Sequence, residues 1–164
     1  VLSIFILKMV EAETLFDLLH METVSFLHNQ KCSTKSEANT KLEQMGFRVG
    51  HSLIEKFSKD MTRFKDELDI MKYICKDFWV LLYCKQIDNL RTNHQGVYVL
   101  VDSNFKLLNK ITLSKQLVTE AQKYIAFPCG LIRGSLAALG VTSFVTADVA
   151  DMPTVKFQVE IQRT

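Results

Sequence analysis

The residues of this chain that can carry chemistry are few and scattered. Its four histidines, His20, His28, His51 and His94, form no H-E-x-x-H run, and no cysteine stands at zinc-ligand spacing from them, so no metal site is expected. The four cysteines, Cys32, Cys75, Cys84 and Cys129, include no C-x-x-C pair. Cys75 stands near Lys72 and Lys76, which would favour a thiolate, but it lies on an apolar helical stripe, and Cys129 lies in an apolar segment. Both read as reduced core thiols, which suits the cytosol better than a secreted disulfide framework. Asp66, Glu67 and Asp69 cluster at the start of a helix, where negative charge answers the positive end of the helix dipole; acid–base catalysis needs carboxylates in an enclosed site instead. No set of nucleophile, base and oxyanion donors can be named, so no catalytic residue is expected and the chain reads as a non-enzyme.

Two further patterns stand out. Gly46-Phe47-Arg48-Val49-Gly50 and Gly130-Leu131-Ile132-Arg133-Gly134 are both G-x-x-x-G, but neither has the G-x-G-x-x-G of a dinucleotide fold or the Gly-Lys-Ser/Thr ending of a phosphate loop, so no cofactor is expected. Their place inside helical patterns points to tight helix packing. The segment Arg91-Thr92-Asn93-His94-Gln95-Gly96 is the densest polar patch and falls at a hairpin turn. A turn needs Asn and Gly but not Arg and His as well, which makes Arg91, Asn93, His94 and Gln95 a candidate recognition patch.

The elements that must position these residues follow from periodicity. Leu15, Phe16, Leu18, Leu19, Val24, Phe26 and Leu27 recur at three- and four-residue steps, which predicts a helix from Glu11 to about His28. Residues 1 to 8 precede Met9 and that pattern, and read as an extension of uncertain structure before a domain over 9–164. After a polar loop, Leu42, Met45, Val49, Leu53 and Phe57 predict a second helix from about Thr40 to Lys59, with Gly46 and Gly50 on the same face. Each glycine costs roughly 1 kcal/mol of helix propensity, which close approach of another helix would offset. A third helix is predicted from near Arg63 to Tyr83, on a stripe of Phe64, Leu68, Met71, Cys75, Phe78 and Leu82 broadened by Ile70, Tyr73, Ile74 and Leu81. A hairpin follows with Val97 to Val101 as its second strand, then an irregular stretch, a helix around Ser114 to Tyr124, and a separate helix from Cys129 to Leu139 set off by Pro128 and ended by Gly140. Strands over Thr142 to Val149 and Thr154 to Gln162 close the chain.

This order predicts an α+β fold, with helices packed on one face of a four-stranded antiparallel sheet in a single domain. At 164 residues one core suffices without disulfides or metals. A net charge of +2 gives no footing for a nucleic-acid partner, and no run approaches the ~20 apolar residues of a membrane span. The opening Val1 to Leu7 is apolar but lacks the charged flank and cleavage site of a signal peptide.

Residues Gly46 to Gly50, Phe64 to Lys72, Cys75-Lys76-Asp77-Phe78-Trp79, Lys85 to Gly96 and Cys129 to Gly134 closely resemble the subunit-6 type of the transport protein particle (TRAPP) small core subunits. The similarity runs from about Glu11 to the C-terminus. The resemblance implies a non-catalytic scaffold that heterodimerises with another small TRAPP core subunit and meets larger, complex-specific subunits of a vesicle tether. That assembly is implied to exchange guanine nucleotide on a Rab-type GTPase in ER-to-Golgi and Golgi traffic, so the GTPase is met only through the complex. The implied location is cytoplasmic, peripheral to Golgi and endoplasmic reticulum membranes. A related subunit of the family carries an acylated cysteine where this chain has Met61, a departure that sets the chain apart from it. The expected dimer surface is Leu15, Leu18 and Leu19 on the first helix with Leu42, Met45, Gly46, Val49, Gly50 and Leu53 on the second, because both stripes are wider than one sheet face can cover. The competing reading is a lipid- or acyl-chain-binding module with the ligand enclosed by the helical layer.

Overall fold

Alternation of Val155, Phe157 and Val159 with Lys156, Gln158 and Glu160 gives a strand one dry face and one wet face, and this strand sits inside the sheet. The computed structural model describes residues 2–30, 34–59, 63–93, 95–111, 118–149 and 151–162. Strands β1 (Asn89–Thr92), β2 (Val97–Asp102), β3 (Ser143–Asp148) and β4 (Val155–Ile161) form one antiparallel sheet in the order β1-β2-β4-β3. Register places Tyr98 opposite Val159 and Val159 opposite Val145, with Leu100 opposite Phe157. All five are buried, so a one-residue slip would turn the apolar set to water. The expected class, helices on a four-stranded antiparallel sheet, is the one observed.

The helices are α1 (Leu2–Asn29), α2 (Lys35–Phe57), α3 (Glu67–Tyr73), α4 (Trp79–Tyr83), α5 (Lys106–Ile111) and α6 (Val118–Ala138). Two compact units divide the chain, Val1–Ala38 and Asn39–Thr164. Helix α1 runs from Leu2 rather than Glu11; no glycine or proline separates the two stretches. Helix α2 starts five residues earlier than Thr40, at Lys35, because Thr34 and Glu37 form a capping box: the Glu37 amide donates to Thr34 Oγ1 at 3.2 Å and the Thr34 amide to Glu37 Oε2 at 3.1 Å.

The third helix departs most from the expected pattern. Asp66 caps it, accepting from the Asp69 amide at 2.7 Å, so residues 63–65 lie outside the helix. A π-turn over Ile74–Phe78 then joins α3 to α4. The wider turn shifts the phase of the stripe, so that Phe78 and Trp79 are both buried although adjacent in sequence. Trp79, off the expected stripe, becomes a centre of the core: its ring lies 5.4 Å from Phe157, 6.1 Å from Phe105 and 4.6 Å from Tyr83. Leu81, expected to broaden the buried face, is exposed instead.

Two more boundaries are corrected. The stretch after Asn104 is not wholly irregular, since α5 buries Leu107 and Leu108. Pro128 does not separate two helices; it lies inside α6, with buried Ile125 and Phe127 before it and buried Leu131 and Ile132 after it. An interior proline costs about 3 kcal/mol, and packing on both sides outweighs it. Gly140 ends the helix with φ +82, as expected of a residue in the left-handed region.

Candidate interaction surface

The two G-x-x-x-G motifs meet each other. A Cβ built on Gly46 would overlap the Phe127 carbonyl oxygen, and one on Gly50 the Leu131 carbonyl oxygen. Reciprocally, a Cβ on Gly130 would overlap the Glu43 carbonyl oxygen and one on Gly134 that of Phe47. The backbones of α2 and α6 therefore touch, each glycine pair receiving the other helix. Ser135 on α6 fastens the crossing, its buried hydroxyl placed 2.8 Å from the Leu131 carbonyl and 3.3 Å from that of Gly50. The helix-packing role expected of these motifs is the observed one, and the close approach offsets the glycines' poor propensity.

This crossing corrects part of the expected dimer surface. Gly46 and Gly50 are spent on α6, and Leu42 is fully buried, so none of the three is open to a partner. Met45 and Leu53 are half-buried, and Val49 is exposed to 38%. The reason is geometric. Residues one glycine-turn apart share the crossing face, whereas Val49 lies about 60° round the helix from Gly46. On α1, Leu15, Leu18 and Leu19 are exposed to 68%, 60% and 63%. Phe26, absent from the expected set although its own stripe contains it, is equally exposed.

The hairpin patch is not a cluster of free polar groups. Asn93 Oδ1 accepts from the amides of Gln95 at 2.8 Å and Val97 at 3.1 Å, so Asn93 builds the turn. Arg91 and Gln95 are exposed, and His94 lies outside the described residues, as do Cys32 and Met61.

One polar knot escaped sequence reasoning. Asp102, at the end of β2 and fully buried, accepts from Trp79 Nε1 at 3.0 Å, from Lys85 Nζ at 2.6 Å and from the Asn104 amide at 3.1 Å. Lys85 also reaches Asp88 at 3.1 Å, and the Ser103 amide donates to Asp88 at 2.7 Å. Burial works against the Lys85 charge, but the two carboxylates outweigh it and leave its pKa raised. The Ser103 amide, followed by Lys85, holds Asp88 below its ordinary value against partial burial. With both Asp102 oxygens engaged, the knot ties the hairpin to α4. Burial pushes Cys75 up to about 12, and burial with the Glu43 charge does the same to Cys129 against the opposing pull of Arg133. His20, stacked on Phe16 with ring centroids 6.3 Å apart, is lowered by burial to about 4 against the raising charge of Asp17, and is neutral at pH 7. Among the described residues, no helix is long and apolar enough to cross a membrane, and no three His, Cys, Asp or Glu side chains are grouped to hold a metal ion.

A family model described as transport protein particle (TRAPP) component matches residues 16–162. The chain is 58% identical over 154 residues to trafficking protein particle complex subunit 6B of Homo sapiens, covering 92% of this chain and 98% of that one. It is 48% identical over 153 residues to subunit 6A of Bos taurus, covering 91% and 96%. Among solved structures, a trafficking protein particle complex subunit 3 from Naegleria fowleri, covalently bound to palmitic acid, shares the fold with TM-score 0.72 at 20% identity, covering 90% of this chain and 95% of that one.

Proposed function

Because the chain belongs to the transport protein particle (TRAPP) component family, we propose that it is a non-catalytic scaffold that joins the complex by heterodimerising with another small core subunit. Through that complex, and larger subunits specific to its form, it contributes to tethering and to nucleotide exchange on a Rab-type GTPase at Golgi and endoplasmic reticulum membranes. The observation that carries the reading is the row of exposed leucines on α1, Leu15, Leu18 and Leu19, which a monomer has no use for. Val49, with half-buried Met45 and Leu53, gives α2 an apolar flank of its own. The Naegleria fowleri subunit's palmitate belongs to that protein; in this chain the thiols of Cys75 and Cys129 are buried and pushed up to about 12, which weighs against their acylation.

The test is size-exclusion chromatography with light scattering on the chain mixed with each small TRAPP core subunit in turn. One of them is expected to give a 1:1 complex, and Leu18→Asp or Val49→Asp should abolish it while the circular dichroism spectrum stays unchanged. The isolated chain should neither hydrolyse nor exchange nucleotide. A monomer in every mixture would sink the heterodimer, a complex indifferent to both charges would sink the surface assigned to it, and exchange by the chain alone would sink the non-catalytic role.

A further inference from the structure

Where the backbones of α2 and α6 touch, the side chains beside the crossing diverge and leave an open cleft. Its volume is about 340 Å³, and Gln44, Phe47 and Arg48 of α2 and Arg133 of α6 line it. Arg133 is fixed in place: Nη1 pairs with Glu43 Oε1 at 2.6 Å, and the guanidinium carbon lies 5.3 Å from the Phe47 ring centroid. That pair uses one of the five N–H donors of the guanidinium. Arg48 is exposed and has no ion-pair partner among the described residues. Counting Glu43 as −1 and Arg48 and Arg133 as +1 each, the cleft and its clamp carry +1, and no described residue of the lining is a carboxylate.

We propose that this cleft is a docking pocket for a short acidic segment of another protein, one carboxylate seated between Arg48 and Arg133 with an apolar neighbour against Phe47. The size of the cleft sets the scale of the occupant. A volume near the lower end of ligand pockets takes two or three side chains and not a folded surface. Its charge sets the chemistry, since one carboxylate, Glu43, answers Arg133 and none among the described residues answers Arg48, and a planar fork already held by Glu43 and Phe47 loses little freedom on binding. The site is separate from the apolar flank of α2. Phe47 lies about 100° round the helix from Gly46 on one side and Val49 about 60° on the other, with Arg48 between them on the outer face.

The test uses the full chain and a fluorescein-labelled peptide Gly-Glu-Leu-Glu-Glu-Leu-Gly, with a twin in which Gln replaces every Glu, read by fluorescence anisotropy. The acidic peptide is expected to bind at least tenfold more tightly than its twin, and to weaken as salt rises from 0.1 to 0.5 M. Arg48→Glu should cost at least tenfold and Arg48→Lys less, while Arg91→Glu, an exposed arginine away from the cleft, should change nothing. Arg48 is exposed, so its variants are expected to fold, and circular dichroism checks this. Equal binding of the twin, or equal losses from Arg91→Glu and Arg48→Glu, would overturn the pocket, the second by showing attraction to surface charge alone.

Discussion

Replacing Gly134 by Ala tests the helix crossing most directly. The added methyl would overlap the Phe47 carbonyl oxygen and stand 2.7 Å from its carbonyl carbon and 2.8 Å from its Cα. All three are backbone atoms, so no side-chain rotation relieves the clash, and α2 and α6 must move apart. Overpacking of this kind costs about 3 kcal/mol, at the upper end of the usual range, while alanine returns about 1 kcal/mol of helix propensity. The net expectation is a loss of about 2 kcal/mol. Urea unfolding followed by circular dichroism reads it as a lower midpoint at unchanged slope. Gly46→Ala should cost a similar amount, since its methyl meets the Phe127 carbonyl in the same crossing. The double variant should then lose clearly less than the sum, because one separation of the helices accommodates both methyls. Stabilisation by Gly134→Ala would refute the contact, and strict additivity would refute a shared displacement.

Two further outcomes are expected. In folded protein at pH 8, Cys75 and Cys129, pushed up to about 12, are thiolate to about one part in ten thousand, so a thiol reagent with peptide mapping should label exposed Cys84 first and those two only after denaturation; early labelling of either would contradict their burial. The lowered pKa of Asp88 contributes stability that is present above the ordinary carboxylate range and lost as pH falls through the folded value, and the raised pKa of Lys85 contributes stability present below the ordinary lysine range and lost as pH rises through the folded value above it; the urea midpoint of Asp88→Asn should therefore fall less between pH 7 and 3 than that of the parent, and an equal fall would remove Asp88 from the account.

What could be read from the sequence was whatever repeats with a fixed period. Val155 to Ile161 announces its own faces, and the sheet followed from it; the paired glycines announced a close crossing without naming which helix supplies the other half. Sequence reasoning failed where the period changes or is overruled. The π-turn at Ile74–Phe78 breaks the 3.6-residue rhythm, and no residue type marks it, so Trp79 was missed and Leu81 wrongly placed inside. Pro128 carries a strong local signal for a break, overruled by contacts far away in sequence. The start of α2 does carry a sequence signal: Thr34 followed three residues later by Glu37 is a capping signature. Of the residues expected at the dimer surface, Leu15 and Leu42 look alike in sequence. Only the packing tells the exposed one from the buried one.

The crossing also bears on how α2 divides its surface. Gly46 and Gly50 commit one face to α6, so a partner can reach only the flanks, and the flanks differ in kind: Met45 and Val49 on one side are apolar, Phe47 and Arg48 with Arg133 on the other form the cationic cleft. Both flanks are oriented by the same contact. Opening it by a methyl at Gly134 would move Phe47, whose backbone meets that methyl, and would strain the Glu43–Arg133 pair that spans the two helices, while Val49 on the far flank would keep its neighbours along α2. The cleft should therefore lose its peptide before α2 loses a partner bound through Val49, an order that follows from which side of the helix the clash strikes.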